Sequence, residues 1–196
     1  MRLQNLLLQK NKKIMSSELG VRNEIKTPNS ELNTPNFRFI ADAMLGRLAR
    51  WLRMLGFDTL YYSDKSDAGL LKIARQQDRF ILTRDTHFLQ FKNLSDLLLI
   101  SSNNTLEQLI ETITALNIKE FSISRCVKCN GALIGGLERE EVKGLVPEHV
   151  YIHFDKFLKC GDCGSIYWEG SHMRRFRETI RRISGLTFKN EKPAVN

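Results

Sequence analysis

The chain has 196 residues, room for one ordinary domain and a small second one, and 42% of them are apolar, which is a globular composition. Its formal net charge of +8 favours a polyanionic partner, nucleic acid above all. No apolar run approaches the roughly 20 residues that span a bilayer, and the opening leucine cluster lacks the h-region and cleavage site of a secretory signal. The expectation is therefore a cytoplasmic protein with no membrane partner.

Residues 1–36 are polar, rich in Asn, Lys and Glu, and contain Pro28 and Pro35. Leu3, Leu6, Leu7 and Leu8 suit one short helix, but nothing after them sustains a period, so the segment reads as a flexible polar leader. Residues 37–41 read as a buried strand that stops at Asp42. Met44, Leu45, Leu48, Trp51, Leu52 and Leu55 then recur at helical spacing, which predicts an amphipathic helix from about Ala43 to Leu55 with Gly56 as its C-cap. Arg47, Arg50 and Arg53 fall on its other face, and Trp51 on the apolar one.

A second strand is predicted over 57–62, and Ser66 is placed to cap a helix that carries Leu70, Leu71 and Ala74. Asp67 opens that helix, where the helix dipole alone would favour an acid. Phe80 to Leu82 is the third strand and stops at Thr83-Arg84-Asp85. Thr86 to Lys92 suits a short helix, Leu94 to Ile100 a fourth strand. Asn104-Thr105-x-x-Gln108 resembles a capping box before a helix marked by Leu106, Leu109, Ile110, Ile113 and Leu116. Strands alternating with helices predict an α/β fold with a parallel sheet flanked by helices. Residues 37–120 would make this first domain.

From Phe121 the character changes. Cys126 and Cys129 form one Cys-x-x-Cys pair, Cys160 and Cys163 another, and no cysteine is left over. With no export signal, a set of four cysteines in this pattern predicts a closed, structural zinc site rather than disulfides. The insert between the pairs holds a short helical pattern over Glu138–Gly144 and a stop at Val146-Pro147. Ser165 to Trp168 reads as a strand, and Ser171 as the cap of a last helix crowded with Arg174, Arg175, Arg177, Arg181 and Arg182. That basic face, with Lys159, Tyr167 and Trp168, suits phosphates and stacking; the same residues would also make a solvated face around a small core. Residues 121–185 would be this second domain, a zinc ribbon with a basic C-terminal helix, and 186–196 a loose tail.

Asp42, Asp67 and Asp85 lie where ligands bind in such sheets, at the carboxyl ends of strands. Carboxylates of this kind hold Mg2+ or Mn2+ through oxygen, which suits phosphodiester hydrolysis. They are equally the residues of ordinary turns and caps.

The stretches FIADAMLGRLARWLRMLGFDTLYY, SDAGLLKIA and FILTRD, followed by two Cys-x-x-Cys pairs with HFDKFLKCGDCGSIYWEGSHMRR, resemble the Mut7-C RNase family from Phe37 to about Ile183. The resemblance implies a PIN-like, Rossmann-type nuclease domain with a C-terminal zinc ribbon, and metal-dependent RNA cleavage. Carried over, Asp42 is the acid after the first strand, Asp67 the acid opening the second helix and Asp85 the acid of LTRD; together they would hold Mg2+ or Mn2+. Asp64 is the close alternative to Asp67. Many PIN domains add a fourth acid just after the third, where this chain has Thr86 and His87. Arg47 and Arg84 flank the cluster and suit phosphate binding, as Arg174 and Arg175 do in the ribbon. The expected function is a metal-dependent endoribonuclease acting on RNA, with homodimerisation open to it as to other PIN-like domains. The competing expectation is a non-catalytic RNA- or ribosome-binding zinc protein that keeps a degenerate nuclease fold.

Overall fold

A computed structural model of the chain describes residues 37–91, 94, 96–184 and 187–188. The leader over 1–36 and the end beyond Phe188 lie outside the described residues. Among the described residues no helix is long and apolar enough to cross a membrane. The chain divides into two compact units: one ends at Ala49 and resumes over Thr59–Lys119, the other takes Arg50–Asp58 and the chain from Glu120 on.

The first unit is built on a four-stranded parallel sheet of β1 (Arg38–Ala41), β2 (Asp58–Tyr61), β3 (Phe80–Thr83) and β4 (Leu97–Leu99), in the order β2-β1-β3-β4. Ile40 pairs with Ile81 and Leu82 with Leu98, so the central strands carry apolar side chains on both faces. Side chains alternate along a strand, and burial on both faces is what a parallel sheet between helices requires. On one face Ile40 and Ile81 pack with Leu70, Leu71, Ala74 and Phe88. A helix over Gly46–Met54, α1, follows a 3-10 turn over Ala43–Leu45, so the single helix expected over 43–55 has a tight first turn. Leu70, Leu71 and Ala74 belong to α2 (Asp67–Gln76), whose N-cap is Ser66: its hydroxyl accepts from the Gly69 N–H. The next helix is α3 (Thr105–Ala115). Its cap is Asn104, which accepts from the Leu106 and Glu107 N–H groups; the Gln108 side chain donates to the Ser102 carbonyl instead of closing a box.

The second unit includes β5 (Glu120–Phe121) and an antiparallel sheet of β6 (Leu133–Leu137), β7 (Phe157–Cys160) and β8 (Ile166–Trp168). One core cluster in it is Val142, Val150 and Phe157, with Leu137, Phe154, Ile166 and Trp168 packed on them; Leu52, Leu55, Phe121 and Ile180 are buried in the same unit. A 3-10 turn over Arg139–Val142 stands where the short helical pattern is, and α4 (Glu148–His153) begins just after the stop at Pro147. The last helix, α5 (Ser171–Ser184), starts with Ser171 as its first residue rather than its cap; the Arg174 N–H reaches back to the Gly170 carbonyl. Thr187–Phe188, placed by the sequence in the loose tail, forms β9, a short strand parallel to β5.

Candidate functional site

β1 and β3 run parallel, so the residues that follow them emerge at one edge of the sheet. Asp42 follows β1 directly; its N–H donates to the Leu82 carbonyl (3.0 Å) and its Oδ1 accepts from the Ala43 N–H (2.6 Å). Its Oδ2 accepts from the Thr83 hydroxyl at 2.8 Å. The same Thr83 oxygen accepts the Asp85 N–H at 3.0 Å. Asp85 Oδ1 accepts from the His87 N–H at 2.8 Å, and the His87 ring meets Asp67 through Nδ1···Oδ2, also 2.8 Å. A series of hydrogen bonds, relayed through the Asp85 and His87 residues themselves, thus links the three aspartates in the order Asp42, Thr83, Asp85, His87, Asp67.

Thr83 is fully buried at the end of β3, while Asp85 and His87 are exposed and Asp67 half-buried. The outer oxygen of Asp85 and one oxygen of Asp67 have no hydrogen-bond partner among the described residues. Open carboxylate oxygens of this kind are hard donors, the type that Mg2+ and Mn2+ take. They are not drawn together as tightly as the cysteines. Among the described residues, the four sulfurs are the one group of three or more such ligand atoms that converges. Asp64 is exposed and outside the hydrogen-bond chain. Thr86 and His87 stand where a fourth acid would, and His87 occupies one oxygen of Asp67.

Arg47 is exposed on α1 and makes no ion pair among the described residues. Arg84 is half-buried, with a Nε that has no hydrogen-bond partner. Its charge reaches Glu111, a residue that sequence reasoning passed over. Glu111 takes the Ser101 and Ser102 N–H groups beyond β4 (2.8 and 3.1 Å). Burial pushes its carboxyl above the usual range; the two N–H groups and Arg84 offset this in part.

The cysteines close as expected. All four sulfurs lie within 4.8 Å of one another, with Cys126–Cys163 at 3.6 Å and Cys129–Cys160 at 3.4 Å. Four zinc–sulfur bonds of about 2.3 Å at tetrahedral angles put sulfurs about 3.8 Å apart, so this set is positioned to bind a metal such as zinc. Each pair is a tight turn in which the second cysteine's N–H points at the first one's sulfur, and the residue after it, Asn130 or Gly164, has a positive φ (+73° and +69°). Asparagine tolerates that conformation when its side chain is held, and Asn130 Nδ2 donates to Asp58 Oδ1 at 2.7 Å. The Ser165 hydroxyl and N–H hold the Cys163 thiol down to about 6. Burial pushes Cys126 up, but hydrogen bonds from the Tyr167 hydroxyl (3.0 Å) and the Cys129 N–H outweigh it and leave that thiol below its ordinary value.

Arg53 departs from its expected place on the polar helix face. It is buried, and Nη1 donates to the Val127 and Lys128 carbonyls, each at 3.2 Å, inside the first cysteine turn. A guanidinium there offsets the net negative charge of a four-thiolate site. In α5, Arg174 and Arg175 are exposed. Trp51 is half-buried, edge-on to Phe176 at 5.4 Å.

No curated protein and no solved structure matches the chain. The family described as the Mut7-C RNAse domain matches residues 37–180, a span that takes in both the aspartate chain and all four cysteines. On that match, over most of its length, the chain belongs to the Mut7-C RNAse domain family.

Proposed function

We propose that the protein is a metal-dependent endoribonuclease whose active site is Asp42, Asp67 and Asp85. The observation that carries this reading is the hydrogen-bond chain through Thr83 and His87, which ties the three acids to one another at the carboxyl edge of a parallel sheet. Mg2+ or Mn2+, when bound, supplies an activated water and neutralises charge on the phosphate. The residues of this chain do the rest. The aspartates present hard oxygens, with Thr83 and the His87 backbone fixing the carboxylates of Asp42 and Asp85. Arg47 and Arg84 receive non-bridging phosphate oxygens. Water adds across one P–O bond, leaving a phosphate on one fragment and a hydroxyl on the other. Arg174 and Arg175 hold RNA backbone along the ribbon, and Cys126, Cys129, Cys160 and Cys163 hold a structural zinc.

One observation favours a second reading, a non-catalytic RNA- or ribosome-binding protein: the carboxylates do not converge as the cysteines do. The two readings separate in one experiment. Zinc-loaded protein is incubated with mixed structured and single-stranded RNA, with Mn2+, with Mg2+ and with neither, beside Asp42→Asn and Asp85→Asn. The nuclease reading expects metal-dependent products from the parent and a loss of at least about a hundredfold in each variant, the scale of a lost catalytic group, with RNA binding retained. RNA binding without cleavage by folded protein would replace it with the second reading.

A further inference from the structure

A cavity of about 370 Å3 opens within the cysteine-bearing unit. Trp168, Met54 and Met173 are among its walls, and Lys156, Arg177, Glu138 and Glu169 bring charge to it. We propose that this cavity takes one unpaired purine base of an RNA strand. The inference rests on the RNA reading given above and on none of the three aspartates.

Size comes first. Small-molecule sites run from about 300 to 1,000 Å3, so this cavity suits a single flat ring system with its sugar and is too small for a folded partner. Its lining suits the faces of that ring. Trp168 is half-buried: it packs on the Val142–Val150–Phe157 core, lies 6.5 Å from Phe154, and has the Gly170 backbone against its indole edge. A side chain held that way is a preformed stacking surface, and stacking needs no particular base. The thioethers of Met54 and Met173 are polarisable and adapt to an aromatic partner.

The charges select among ligands. Glu138 and Glu169 only accept hydrogen bonds, so they match a base edge that bears an amino group and disfavour a fatty-acid or anionic headgroup at the same mouth. Arg177 Nη1 holds Glu169 Oε1 at 2.6 Å, which fixes one acceptor in place. Lys156 is exposed and makes no ion pair among the described residues. It is a ready cation for the phosphate of the inserted nucleotide.

The test is methionine-methyl NMR on full-length, zinc-loaded protein titrated with GMP, AMP, UMP and ribose 5-phosphate. The Met54 and Met173 signals should move saturably with GMP or AMP, several-fold more weakly with UMP, and not with ribose 5-phosphate. Met173→Trp fills the cavity; it should silence the Met54 response and weaken binding of a purine-containing single strand about tenfold, the scale of one lost base stack. An all-uridine strand should bind as before. Glu138→Ala, at an exposed position, decides the matter should the larger substitution disturb folding: it removes one acceptor and should reduce the preference for purine over UMP, and an unchanged preference would overturn the assignment of Glu138 to the base edge. Strands that bind without moving either methionine, or ribose 5-phosphate acting as well as GMP, would overturn the cavity assignment and leave the RNA reading standing. No RNA binding at all would sink both.

Discussion

Thr83 has one hydroxyl and serves two aspartates with it, donating to Asp42 Oδ2 and accepting from the Asp85 N–H. Thr83→Val keeps the shape and the branch at Cβ and removes only that oxygen. The Asp85 N–H then loses its acceptor, and Asp42 loses a donor that fixes one carboxylate oxygen. Each of these two part-buried hydrogen bonds is worth about 0.5–1.5 kcal/mol net, so the stability of the first unit, read by urea denaturation, should fall by about 1–3 kcal/mol. Metal-dependent cleavage should fall further than the folded fraction does. Full activity in the folded variant would show that the hydroxyl does not position the acids. Asp42 and Asp85 were legible in the sequence because an apolar run ends at each. Thr83 was not, since a β-branched residue at a strand's end reads as part of the strand, although its place two before Asp85 in LTRD is the available signal. Arg53 was misread for a related reason: helical period assigns a face, and only the folded chain brings two carbonyls from more than 70 residues away to a guanidinium on the polar one.

At the scale of elements, the end of α1 shows why one glycine cannot change. Gly56 has φ +87°, and a Cβ there would lie 1.7 Å from the Ser122 carbonyl oxygen. Relaxing the backbone angle alone would not remove that clash. Gly56→Ala should therefore cost more than the roughly 1–2 kcal/mol of a left-handed non-glycine residue, read as a lowered midpoint in chemical denaturation of the second unit. A cost near the bottom of that range would mean that the 120–124 segment shifts easily. The C-cap itself was visible in the sequence, as were β1 to β4 and the helices between them, because each has a sustained period or a marked stop. The second unit was less legible. Leu133–Leu137 carries two adjacent glycines and no alternation, Phe157–Cys160 has only four residues, and both are strands because they pair with each other across the cysteine turns. Thr187–Phe188 likewise owes its form to Glu120–Phe121, far away in sequence.

At the scale of the molecule, the two units draw on different sources of stability. The parallel sheet has a buried core of its own. The cysteine-bearing unit has three fully buried core side chains in its cluster and four sulfurs in ligand geometry. β6, β7 and β8 meet at the two cysteine turns, and a metal held by those sulfurs adds its binding free energy to the folding of these strands. A chelator should therefore strip amide-exchange protection from β6, β7 and β8 and leave β1, β3 and β4 protected; uniform loss, or none, would contradict this division.

The net charge of +8 carries the last consequence. Cations on a folded surface either contact phosphate or merely keep the protein soluble, and salt separates the two. Each phosphate contact on a single strand adds about 0.7 to the slope of log affinity against log salt. Arg174 and Arg175 are exposed on α5 and were read from the sequence as an RNA-facing pair. Replacing both with Ala should lower that slope by about 1.4, two contacts at about 0.7 each, and weaken binding alike for all RNA sequences. An unchanged slope with slightly lower solubility would make the arginines of α5 a solvated face, and would leave Arg47, Arg84 and Lys156 as the cations that draw RNA to this protein.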